Sequence, residues 1–71
     1  MDLLALADFN DVARHGGVGR AARITGRPKA TLSRRVRQLE DALGVRLFER
    51  GGHELRLTEE GRELQQQTQS L

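Results

Sequence analysis

The sequence predicts a small, mainly α-helical domain that carries a two-stranded β appendage and a last helix. Three observations support this. Apolar residues recur at intervals of three and four from Leu3 to Ala13 and again from Leu32 to Leu43, which is the period of amphipathic helices. Gly16-Gly17, Gly26, Pro28 and Gly44 punctuate the chain where these patterns stop, as helix-ending residues do. Beyond Gly44 the period falls to two, and Gly51-Gly52-His53-Glu54 separates two short alternating runs, the pattern of a hairpin.

A chain of 71 residues makes one domain at most, since at this size only about 60% of the unfolded surface is buried. The absence of cysteine excludes disulfides and thiolate metal sites, so helical packing must hold the fold. No apolar run approaches the roughly 18 residues of a bilayer span, and the start MDLLALADFN has no cationic leader. The expectation is a soluble, unexported, cytoplasmic protein.

Taken in order, Asp2 caps a first helix over about Leu3–His15, whose stripe is Leu3, Leu6, Phe9, Val12 and Ala13. Gly16 and Gly17 end it, with His15 placed to satisfy last-turn carbonyls. Gly19 is the expected N-cap of a short helix over about Arg20–Thr25, where Ala21 and Ala22 allow close helix approach. Gly26 ends this helix, and Pro28 suits the first position of a third. In that third helix Leu32, Val36, Leu39 and Leu43 share one face at about 100° per residue, while Ala30, Arg34, Arg37 and Asp41 lie opposite. A short helix, a turn at Gly26-Arg27 and a long helix make a helix-turn-helix, whose second helix enters the DNA major groove in proteins that use it so. Val45, Leu47 and Phe48 then lead back to the core, and Leu55 and Leu57 alternate with polar residues in a return strand. The two strands form a wing. Thr58 caps a last helix with Glu59 and Glu60 in its first turn, which Gly61 weakens. Leu64 and Leu71 fit either a dimer seam cut short or a polar tail.

Net charge is only +2, but eight Lys or Arg and no acid lie between Arg14 and Arg37, with three acids before that window and seven after it. A segregated basic block raises the local potential and attracts phosphate. Its coincidence with the helix-turn-helix points to duplex DNA. The reading from another class is a winged-helix module that binds protein, which would not need this block.

With these elements in register, the segments RAAR, PKATLSRRVRQLEDALGVRLFER and LTEEG resemble the N-terminal DNA-binding domain of LysR-type transcriptional regulators from Asp2 to about Leu64. The resemblance implies a winged helix-turn-helix with a three-helix core over residues 1–58, and from 59 to 71 the start of a linker helix through which two copies dimerise. It further implies a cytoplasmic regulator at the bacterial nucleoid, tetrameric in its full-length form. Such a parent would sense a small-molecule inducer through a C-terminal domain that these 71 residues lack. Some positions depart from the family pattern. Thr25 and Arg27 replace apolar residues under the turn, Val18 replaces a common aromatic, and Lys29 and Ala30 stand where Gln and Pro are frequent. His53 stands where many relatives place Arg. A thinner core around the turn is the expected result.

The DNA-binding candidates are Arg20, Arg27, Lys29, Ala30, Thr31, Ser33, Arg34, Arg37, Arg50 and His53, with the recognition helix over 28–43 and the wing over 50–56. Arg34 is assigned to base readout because a guanidinium can hold guanine O6 and N7 together. Lys29 and Ser33 suit base or phosphate, and Ala30 suits a thymine methyl. Arg20, Thr31 and Arg37 are expected on phosphates, beside the start of the second helix. Arg50 and His53 are expected on the backbone or in the minor groove. Against these roles, Arg37 could pair with Asp41, Arg35 could lie along the core stripe, and Ser33 could bond back to a carbonyl.

Catalysis finds no support. His15 and His53 are distant in the pattern, there is no phosphate-binding glycine loop after a strand, and Glu40-Asp41 and Glu59-Glu60 are sequence neighbours that diverge on a helix. These acids are expected to be solvated or to pair with helix dipoles. No enzyme, cofactor or metal is expected.

Overall fold

The computed structural model describes residues 2–49, 51 and 55–70. Four helices follow one another: α1 Leu3–His15, α2 Val18–Thr25, α3 Lys29–Leu43 and α4 Glu59–Thr68. α1 has the expected limits. The Asp2 side chain accepts from the Leu4 amide at 2.9 Å, and Gly16 closes the helix in the left-handed region at φ 78°, where a side chain would be strained.

α2 begins two residues earlier than expected, with Gly17 rather than Gly19 as N-cap. The half-buried Val18 packs against the core, and this contact draws the first turn back toward α1. Pro28 is the N-cap of α3 rather than its first residue, extended at φ −62° and ψ 136°. Its carbonyl accepts from the Leu32 amide at 3.1 Å.

The core lies where α1, α2 and α3 meet. Phe9, Val12, Ala21, Leu32, Val36, Leu39 and Leu47 are buried there, and the rings of Phe9 and Phe48 pack 5.4 Å apart at 50°. Leu3, expected on the buried stripe, is 70% exposed, whereas Ala5 and Leu6 of the same turn are buried. The expected period of two after Gly44 also fails: Val45 is exposed, whereas the neighbours Leu47 and Phe48 are both buried.

In place of a two-stranded wing, the described residues contain a single antiparallel bridge, Phe48 to Leu57. It is flanked by Glu49 N–H to Arg56 O at 2.8 Å and Thr58 N–H to Leu47 O at 3.0 Å. A lone hairpin is marginal without further strands, and here Leu47 and Phe48 are part of the core with Leu55 and Leu57 packed against it. α4 docks against α1. Its N-cap is Thr58, as expected, and the Asn10 side-chain amide donates to Thr68 Oγ1 at 2.9 Å. Among the described residues no helix is long and apolar enough to cross a membrane.

Candidate nucleic-acid interface

α3 presents its polar face to solvent as the spacing predicted. Ala30, Arg34, Arg37 and Asp41 are exposed, opposite buried Leu32, Val36 and Leu39 and half-buried Leu43. Lys29 is also exposed, and Thr31 and Ser33 are half-buried. Ser33 lines a cleft of about 120 Å³ whose walls include Val18, Val36, Phe48 and Leu55, so it sits at the edge of the reading face. Arg20 is exposed in the first turn of α2. Arg37 makes no ion pair with Asp41 among the described residues.

Helix ends separate this side of the molecule from the other. The N-caps of α1 and α4, Asp2 and Thr58, each accept a backbone amide with their side chain. The N-caps of α2 and α3, Gly17 and Pro28, offer no such bond. The first-turn amides of Val18 to Arg20 and of Lys29 to Thr31 therefore have neither an intrahelical acceptor nor a side-chain cap. Helix starts of this kind favour anions.

Arg27, a DNA-binding candidate, also has a partner inside the domain: its Nε lies 2.9 Å from Oδ1 of Asp8 and its Nη2 donates to Oδ2 at 3.1 Å. Arg35 Nη1 donates to the same Oδ2 at 3.0 Å. Asp8 is only 1% exposed, and an unpaired carboxylate there would carry a large desolvation penalty, so it draws in both cations. Thr25 also has a structural role: its hydroxyl donates to Ala21 O at 2.7 Å and accepts from the Arg27 amide at 3.3 Å. The polar residues under the turn are thus paired, and the expected thinning of the core is filled by ion pairs.

Of the eight cations in the basic window, Arg14 pairs with Asp11, and Arg27 and Arg35 pair with Asp8. Arg20, Arg23, Lys29, Arg34 and Arg37 remain exposed without an ion pair among the described residues. Arg23 was not among the sequence candidates. Arg50 and His53 lie outside the described residues.

Glu40, expected to be solvated or to pair with a helix dipole, is instead buried. Its Oε2 accepts from the amides of Leu47 at 2.8 Å and Phe48 at 3.4 Å. It therefore fixes the segment that leads from α3 into the base of the wing.

A long exposed helix behind an open-ended shorter one, with cations on the shared face, defines a helix-turn-helix protein of the nucleic-acid-binding class. Residues 3–62 match the model of the bacterial regulatory helix-turn-helix proteins of the lysR family. The chain belongs to that family, as a DNA-binding domain of the LysR type. It is 45% identical over 64 residues to the RuBisCO operon transcriptional regulator of Allochromatium vinosum, covering 90% of this chain and 21% of that protein. With the HTH-type transcriptional regulator YtlI of Bacillus subtilis it shares 38% identity over 71 residues, covering 100% of this chain and 23% of the other. The chain thus spans about a fifth of the length of these relatives, which are transcriptional regulators rather than enzymes. Among solved structures it is similar to the BenM DNA-binding domain in complex with catB site 1 DNA, at TM-score 0.92 and 31% identity over 99% of this chain and 75% of that one. The CbnR DNA-binding domain in complex with DNA gives TM-score 0.90 and 28% identity, over 99% of this chain and 80% of that one.

Proposed function

We propose that this chain binds duplex DNA sequence-specifically, as a dimer, and so regulates transcription. The observation that supports this best is the coincidence of five exposed cations without ion pairs with the uncapped starts of α2 and α3. In this reading α3 lies in the major groove with its N-terminal end deepest. Arg34 reads a base, most simply a guanine, while Lys29, Ala30 and Ser33 contact base edges or adjacent phosphates. Arg20, Thr31 and Arg37 hold the backbone together with the open amides of α2.

Residues 1–58 form the binding unit, and 59–71 begin the helix through which two copies pair. The wing, residues 50–56, is assigned to the backbone or minor groove on sequence alone.

The reading is tested with random duplex DNA across a salt series. Counterion release predicts a linear fall of log affinity with log salt, and the five exposed cations contribute up to about 4.5 to the slope. A flat response overturns it. Once a preferred site has been selected from random duplexes, Arg34→Ala is expected to relax the base preference, with about 1 to 3 kcal/mol of discrimination lost. Arg20→Ala is expected to weaken all duplexes alike.

A further inference from the structure

Two of the three ion pairs among the described residues meet on one carboxylate. Asp8 belongs to α1, Arg27 to the turn before α3, and Arg35 to the end of the second turn of α3. Oδ2 accepts hydrogen bonds from Arg27 Nη2 and Arg35 Nη1 together, while Arg27 Nε lies 2.9 Å from Oδ1 as an ion pair without hydrogen-bond alignment. The arginine side chains are 33% and 24% exposed against 2% for that of Asp8. The anion is therefore the fixed point, and the cations converge on it from two places along the recognition segment.

Apolar contacts such as Phe9 against its neighbours are non-directional and leave a helix some freedom to roll about its axis. Hydrogen bonds from two guanidinium groups to one buried carboxylate oxygen have preferred directions and distances, so together they resist that motion. Arg34 and Arg35 are consecutive and project about 100° apart on the helix. Holding Arg35 inward consequently holds Arg34 outward in one direction.

We propose that Asp8 is the positioning residue of the DNA-binding surface. Its carboxylate, through Arg27 in the turn before α3 and Arg35 within it, sets the axial rotation of α3 and thereby which base edges Lys29, Ala30 and Arg34 reach. The inference rests on the DNA reading above, but it differs from the sequence expectation for Arg27. A phosphate contact at Arg27 would act on all duplexes equally, whereas a positioning role acts on discrimination.

The experiment uses the 71-residue chain with Asp8→Asn and Arg27→Met, folding being checked by circular dichroism. Arg27→Met leaves Asp8 its Arg35 partner, so it serves as the second variant should Asp8→Asn not fold. The expected result is a loss of about tenfold in the ratio of selected-site to random-duplex affinity in either variant. In Arg27→Met the salt slope on random duplex is expected to stay at the wild-type value. A slope lower by about 0.9 with the ratio retained would make Arg27 a phosphate contact and overturn the proposal. In the absence of DNA, residual dipolar couplings of the free protein are expected to show α3 rotated against α1 in the variant. An unchanged orientation overturns the positioning role even if the ratio falls. If the wild-type chain shows no site preference, the sequence-specific reading fails, and the couplings still decide the role of Asp8.

Discussion

The two ends of α3 are fixed by different chemistry. At its start, residues 17–37 leave the first-turn amides of α2 and α3 without side-chain caps, and the turn between these helices is tied to α1 by ion pairs to Asp8. Beyond its end, side chains take up individual backbone groups. Glu40 takes the amides of Leu47 and Phe48, while the Thr58 hydroxyl accepts from Gly61 N–H at 3.0 Å and donates to Arg46 O at 2.6 Å. Backbone donors are closed off where one part of the chain must hold another, and left open on the basic side. Substitutions in the closed region should therefore act mainly on stability, and those in the open region mainly on binding.

The largest departure from ordinary helix behaviour is expected at Gly61. In an exposed helix, Gly→Ala gains about 1 kcal/mol. Here a Cβ would lie 2.1 Å from the Leu47 carbonyl oxygen and 3.0 Å from Leu57 Cδ2. The obstacle is backbone, not the end of a flexible side chain, so α4 must move off the segment it docks on. Gly61→Ala is expected to destabilise by about 2 to 3 kcal/mol, an overpacking effect, measured as a lower urea midpoint. A gain in stability instead would show that α4 is not seated on Leu47.

Glu40→Ala comes next. It leaves the Leu47 and Phe48 amides without their carboxylate and should lower stability by about 2 kcal/mol, again read from the urea midpoint. Glu40→Gln retains an acceptor oxygen and should recover most of the loss. Equal losses in the two variants would place the contribution in the charge rather than in the hydrogen bonds.

Most of the helical frame was legible because its signals are local. Glycine at a left-handed C-cap and a 3.6 period on α1 and α3 need only a few neighbouring residues to be read. The exposed face of α3 followed from the same spacing, and with it Ala30, Arg34 and Arg37. The pairing of Asp8 with Arg27 and the burial of Glu40 were not legible because the partners are remote or depend on tertiary packing. Asp8 meets Arg27 and Arg35 across 19 and 27 residues, and counting charges within the window Arg14–Arg37 cannot register an acid that enters it from outside. A usable signal was nevertheless present. Asp8 stands three residues after Ala5 and four before Val12, inside the buried stripe of α1, and an acid on such a face requires a partner. Glu40 likewise follows Leu39 and stands four residues after Val36. The wing base was overstated because alternating residues suggest two strands, whereas burial of adjacent Leu47 and Phe48 breaks the alternation.

The smallest effects test the contrast between closed and open helix starts most directly. Thr58→Ala removes a cap and is expected to lower stability by about 1 kcal/mol. At Gly17 the opposite change is available. The residue is extended, at φ 162° and ψ 159°, which any amino acid adopts, and a Cβ there would meet nothing within 4 Å. Gly17→Ser should therefore add a cap at no steric cost and reduce the freedom of the unfolded chain, for a gain of about 0.5 kcal/mol. Thermal denaturation of the two variants beside the wild type gives both signs in one experiment. If Gly17→Ser brought no gain, the amides of Val18 to Arg20 would already be satisfied in the free protein, and the start of α2 could no longer be counted among the open donors that favour a phosphate.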